Sequence, residues 1–153
     1  MAVTMQQVLA EIDREEPDYP TLARFGADAL PHLKLIAGAD DPLKASKAVY
    51  AATLIGGAGA TELLRTAAEH HDPQVRIAVA HGLQNMGSAA PSDLVLKGLG
   101  DVDAGVRKRA LGTAGMLRRA DFSQQVNAMV QHDPAEHLRS AASVTQKQLM
   151  VAP

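Results

Sequence analysis

Apolar positions along this chain recur with a helical period at short range and with a fixed longer interval, the one that separates Asp41 from Asp72 and Asp72 from Asp103. Ala48, Ala52 and Ile55 follow the i, i+4, i+7 spacing of one helix face, and Leu64, Ala67 and Ala68 follow the i, i+3, i+4 spacing of another in the next segment. Shifting the chain by the longer interval aligns Ala48, Val79 and Ala110; Ala52, Leu83 and Ala114; and Ile55, Met86 and Leu117. A second set of columns holds Leu33, Leu64, Val95 and Val126, then Ala37, Ala68, Leu99 and Val130. Each unit thus carries two apolar stripes, and the pattern predicts a pair of helices per unit rather than strands.

Punctuation between the stripes supports the pairs. Asp41-Pro42, Asp72-Pro73 and Asp133-Pro134 each place a side-chain acceptor at the N-cap and a residue of fixed φ at the first helical position. Gly56-Gly57-Ala58-Gly59 and Gly87-Ser88 fall at one phase of the repeat and read as left-handed helix stops. First helices are expected near 20–26, 42–55, 73–86 and 104–118, and second helices near 29–38, 60–70, 90–99 and 122–131. An N-terminal helix over about 4–14, with Thr4 and Gln7 at capping-box spacing, would cover the first repeat. The more polar helix over about 133–149 would close the last. The expected organisation is one all-α domain over 1–153, an α–α superhelix of about four pairs, with repeats near 18–40, 41–71, 72–102 and 103–132.

Composition narrows how such helices can pack. Twenty-eight Ala and seventeen Leu stand against two Tyr, two Phe and no Trp, so the interior must be built from small and aliphatic side chains. Fifteen basic and seventeen acidic residues leave a net charge of −2, without the positive field that dedicated nucleic-acid or anionic-membrane binders need. The absence of Cys excludes disulfides, thiolate metal sites and cysteine nucleophiles. No secretory leader pattern is visible, and the longest uncharged stretch, Ala48 to Thr61, is Gly-rich and too short to cross a bilayer. The expected setting is cytoplasmic, with no cofactor.

The strings Asp72-Pro-Gln-Val-Arg-Ile-Ala-Val-Ala-His-Gly-Leu and Asp103-Ala-Gly-Val-Arg-Lys-Arg-Ala-Leu-Gly resemble the short HEAT-like repeats first recognised in phycobilisome lyases. The resemblance covers about residues 20–149; at the Asp41 repeat, Ala45 and Ser46 replace the Val-Arg pair. It implies an α-solenoid with first helices on the convex side and second helices on the concave side. It implies no single function, because such repeats serve scaffolds, regulators and a few enzymes.

Candidate chemistry is sparse. The recurrence of Asp72 with Arg76 and of Asp103 with Arg107 at one phase reads as a ladder of caps and inter-repeat ion pairs, not an acid and a base. His70-His71 and His132 lie two repeats apart, too far to share an ion. His132 to His137 has one residue too many for H-x-x-E-H, and Gly57-Ala-Gly59 follows no strand, so neither a zinc protease nor a phosphate loop is expected. No His is followed by Glu, the dipeptide from which the HEAT-like di-iron hydroxylase takes its ligands.

Two surfaces remain. Exposed positions of the second helices set Lys34, Arg65, Leu96 and Asn127 in one column and Leu35, Thr66, Lys97 and Ala128 in the next. Lys34, Leu35, Arg65, Leu96 and Lys97 are the expected partner-binding residues, a concave mixture of apolar and basic side chains suited to an acidic or amphipathic protein segment. Arg107, Lys108, Arg109, Arg118 and Arg119 form a basic cluster on the helix near 104–119, the basis of a nucleic-acid alternative. The leading expectation is a non-catalytic protein-interaction scaffold. A lyase-type or chaperone-like subunit acting on a tetrapyrrole-carrying protein is the alternative drawn from the resemblance.

Overall fold

Side-chain carboxylates start the long helices, as the Asp columns predict. In the computed structural model, which describes residues 2–151, Asp41 accepts from the backbone N–H of Leu43 and Lys44, Asp72 from Gln74 and Asp103 from Val106. The α-helices are Met5–Ile12 (α1), Tyr19–Phe25 (α2), Leu30–Ala37 (α3), Pro42–Ile55 (α4), Gly57–Ala67 (α5), Pro73–Gly82 (α6), Ser92–Leu99 (α7), Ala104–Leu117 (α8), Ser123–His132 (α9) and Glu136–Met150 (α10). No strand occurs among the described residues, so the fold is all-α. The first helices of the pairs are α2, α4, α6 and α8, continued by α10; the second helices are α3, α5, α7 and α9. The Thr4–Gln7 capping box forms at the start of α1.

Four local features differ from the sequence pattern. Asp18, which no Asp-Pro dipeptide marks, caps α2 through the Thr21 N–H at 3.0 Å. The helix after Asp133-Pro134 begins only at Glu136; Asp133 instead accepts the Ala135 N–H at 2.9 Å and turns its carboxylate inward. The third first-helix ends at Gly82 and continues as a 3-10 segment over Leu83–Ala89, because Gly82 and Gly87 weaken the α-helix and Gly87 adopts φ 53°. Gly56 and Gly87 do have positive φ, but with ψ of −169° and −127° they occupy a region open to glycine rather than the left-handed helix.

The apolar columns form the core. Ala48, Val79, Ala110, Ala52, Leu83 and Ala114 are buried, as are Leu33, Leu64, Val95 and Val126. Small side chains are frequent where first helix meets first helix: α4, α6 and α8 bury Ala48, Ala51, Ala52, Ala80, Gly82, Ala110 and Ala114 beside Val49, Val79 and Leu111, whereas the second helices bury Leu33, Leu63, Leu64, Leu94 and Leu99 beside a few Ala. Accordingly α4 packs closely on α6, α6 on α8 and α8 on α10, while α5 and α7 barely meet. The approach of α6 to α4 is tight enough that a Cβ at Gly82 would lie 2.5 Å from the Thr53 methyl group.

Candidate functional site

The cations expected to bind a partner are committed to carboxylates. Lys34 pairs with Glu62 at 2.8 Å, Lys97 with Glu69 at 2.8 Å, and Arg65 with Asp93. These three pairs stitch neighbouring second helices together and lower the positive field expected there. Hydrogen bonding to Lys34 lowers the Glu62 pKa, and hydrogen bonding to Arg65 lowers that of Asp93. Leu35 stands in solvent at 69% exposure, but Leu96 is half-buried against the core and is not the unpacked side chain expected.

Much of the ladder chemistry is structural. Arg76 holds Asp101 through two bonds of 2.8 and 3.1 Å, and Arg107 holds Asp133 through two of 2.9 and 3.2 Å. The arginines thus reach across the repeat, rather than pairing with the Asp that caps their own helix. Each also donates to two turn carbonyls: Arg76 to His70 and His71, Arg107 to Asp101 and Val102. Asp101 and Asp133 accept the N–H two residues on, and His70 Nδ1 does the same for Asp72 at 3.0 Å. That bond leaves the proton on His70 Nε2, which donates to the Ala39 carbonyl at 3.1 Å. At the interval that relates Arg76 to Arg107 it is Ala45, not Ser46, that stands in place of the arginine, with Lys44 in place of the valine, and His70 replaces the carboxylate in that repeat. Arg119 is likewise tied to the Ala90 and Gly87 carbonyls, so Arg107 and Arg119 leave the basic cluster as structural members.

The first-helix face carries a feature that aliphatic columns do not reveal. Tyr19, Tyr50, His81 and Gly112 stand at one phase of the repeat, one on each of α2, α4, α6 and α8. Tyr19 and Tyr50 meet edge to face at 4.8 Å between ring centroids, and Tyr50 and His81 at 5.5 Å. At the next rung Gly112 leaves open space, for a Cβ there would meet nothing within 4 Å. The interval that locates the core also contains this row, and a search for aromatic and imidazole columns at that interval finds it.

Two grooves lie along the row. One, of about 480 Å³, is lined by Tyr19, Leu43, Tyr50, Ile77 and His81; the other, of about 500 Å³, lies along α8 and α10 beside Lys108, Gly112, Met116 and Val144. Leu43, Met116 and Val144 are 63%, 69% and 59% exposed, large apolar side chains on the rims of these grooves. Burial, and secondarily the Tyr50 hydroxyl, raises the Tyr19 pKa, so the phenol stays neutral. Burial, and then the nearby Arg109 charge, lowers that of His81, so its imidazole is neutral at pH 7. Lys47 is half-buried and donates to the Ile12 and Arg14 carbonyls, closing the end of α1. Lys108 and Arg109 are exposed and form no ion pair among the described residues. Helices α2, α4, α6 and α8 contain no Asp or Glu at all.

A two-layer array of helix pairs, each pair packed on the next, is the architecture of an α-solenoid repeat protein. The model of the HEAT repeats family matches residues 29–111, more than half of the chain, and the protein belongs to that family. HEAT repeats generally mediate protein–protein interaction and are typically non-catalytic. No curated protein matches the chain. Among the described residues, no helix is long and apolar enough to cross a membrane, and no group of three His, Asp or Glu side chains is placed to hold a metal ion.

Proposed function

We propose that this protein is a non-catalytic interaction scaffold that binds a protein partner on the face formed by its first helices. The observation that carries the reading is the set of exposed Leu43, Met116 and Val144 on the rims of the two first-helix grooves, Leu43 beside the Tyr19–Tyr50–His81 ladder and the other two beside Gly112. Large apolar side chains do not gather on one face for stability, since they gain nothing there until something covers them.

The double variant Leu43→Glu with Met116→Glu tests this. Both side chains are largely exposed, so each substitution should change stability by no more than about 0.5 kcal/mol. Affinity purification from the native host should then lose the partner, while the melting curve stays in place. A folded variant that keeps its partner removes the first-helix face from consideration. Leu35→Glu on the second-helix layer is the companion arm, because Leu35 is the one strongly exposed apolar residue of the site expected from sequence.

A further inference from the structure

Resting on the first-helix reading, we propose that the occupant is an acidic amphipathic segment of another protein, with apolar side chains in the groove over Tyr50 and carboxylates on Lys108 and Arg109. Charge distribution argues for it. The chain as a whole is slightly acidic at −2, yet helices α2, α4, α6 and α8 carry no carboxylate. Acidic side chains of the second-helix layer, Glu62, Glu69 and Asp93, are each held by a cation. Lys44, Arg76 and Arg107 of the first helices are paired with Asp13, Asp101 and Asp133, as the cations of α3, α5 and α7 are with their own carboxylates, so the positive charge left open beside the groove is that of Lys108 and Arg109 on α8.

The same facts decide between occupants. A second copy of this chain would bring second-helix carboxylates already held by Lys34, Lys97 and Arg65, and its exposed Glu15 and Glu16 lie in the turn after α1 rather than along an amphipathic helix face. A nucleic acid needs a row of free cations along its phosphates, but Arg107 and Arg119 are locked into ion-pair and carbonyl contacts, which leaves Lys108, Arg109 and Arg118. The Tyr19 and Tyr50 rings meet edge to face, so they form an apolar wall rather than a set of parallel platforms for bases. An apolar wall with two free cations at its end, and open space at Gly112 beside them, matches a segment with one apolar and one acidic side. Lys108, Arg109 and Gly112 line one groove, and Gly112 stands at the rung after His81, so wall and cations adjoin.

The probes are fluorescein-labelled helical peptides of about five turns. One is built of Leu and Glu, one of Leu and Lys and one of Ser and Glu; a short DNA duplex completes the set, each titrated by fluorescence anisotropy. The Leu/Glu peptide should bind at least about tenfold more tightly than either other peptide, and raising salt should weaken it. Lys108→Glu with Arg109→Glu should weaken that binding by at least about tenfold and abolish its salt dependence. Gly112→Leu, which enters open space on a helix and so leaves the fold intact, should weaken it comparably while leaving the salt dependence unchanged. Tyr50→Ala should act as Gly112→Leu does.

Absence of Leu/Glu binding, equal binding of the Leu/Lys peptide, or indifference to the charge reversal would overturn the acidic class. Tighter binding of the duplex, lost on charge reversal, would overturn it in favour of nucleic acid. If the native partner is lost from Leu43→Glu with Met116→Glu while the Leu/Glu peptide fails, the first-helix site stands and only the partner chemistry is wrong. If the native partner is retained, both readings fall together.

Discussion

Arg118 shows how far a single residue can depart from its column. Gly56, Gly87 and Arg118 share one phase of the repeat and all have positive φ, but only Arg118 is in the left-handed helical region, at φ 54° and ψ 46°. A side chain in that conformation costs roughly 1 kcal/mol, so Arg118→Gly should raise stability by about that amount in thermal or denaturant unfolding. Gly82 is the opposite case. Its missing side chain lets α6 approach Thr53, and a Cβ there would lie within 2.5 Å of the Thr53 methyl group. Gly82→Ala should therefore destabilise by about 1–3 kcal/mol despite the better helix propensity of Ala. Neither sign is legible locally, since both residues lie near helix ends where glycine is common; backbone conformation decides the first and the neighbour across the interface the second.

Between elements, two kinds of ion pair look alike in sequence and differ in consequence. Asp133 is 5% exposed and bound by both arms of Arg107, whereas Lys34 and Glu62 are open to solvent. Asp133→Ala leaves a nearly buried guanidinium unpaired and should cost about 3–5 kcal/mol; Lys34→Ala should cost several-fold less by the same unfolding measurement. The buried pairs also set the acid limit of the fold. Burial alone would raise the pKa of Asp101 and Asp133, but hydrogen bonds from Arg76 and Arg107 and from the Asp103 and Ala135 N–H groups outweigh it, and both are lowered. A carboxyl group with a lowered folded pKa stabilises above its unfolded value and loses that contribution as pH falls through the folded value. The melting temperature should thus hold near neutrality and fall below about pH 4, and Asp101→Asn with Asp133→Asn should flatten that limb. Recurrence along the chain predicts an Asp–Arg ladder but not its partners, because Arg76 reaches 25 residues along the chain and Arg107 reaches 26.

At the scale of the whole molecule, the two tyrosines provide a direct report on the proposed binding face. With no Trp in the chain, ultraviolet emission comes chiefly from Tyr19 and Tyr50, and both line the groove on the first-helix side. A ligand seated there should change tyrosine emission and shield it from a soluble quencher, whereas a ligand on the second-helix layer should change neither. A titration that saturates binding with unaltered emission and quenching would place the partner elsewhere.

Spacing along one chain determined the helices, their Asp caps, the repeat interval and the buried columns, because an i, i+3, i+4 stripe and an N-cap are local or near-local requirements. The row of Tyr19, Tyr50, His81 and Gly112 is present at that same interval. Which exposed stripe stays free for a partner belongs to the tertiary structure alone. Both layers carry cations, and each stripe is amphipathic whatever lies beside it, so hydrophobic periodicity cannot tell a free charge from a paired one. Setting α3, α5 and α7 in one layer brings Glu62, Glu69 and Asp93 within side-chain reach of Lys34, Lys97 and Arg65, and those cations are paired. Packing the first helices through Ala and Gly brings no carboxylate to Lys108 or Arg109, and it sets Tyr50 between Tyr19 and His81 as a continuous wall. Contacts between helices a whole repeat apart thus pair the cations of the second helices and leave Lys108 and Arg109 of the first helices without a carboxylate, because an ion pair depends on distance in space and not on spacing along the chain.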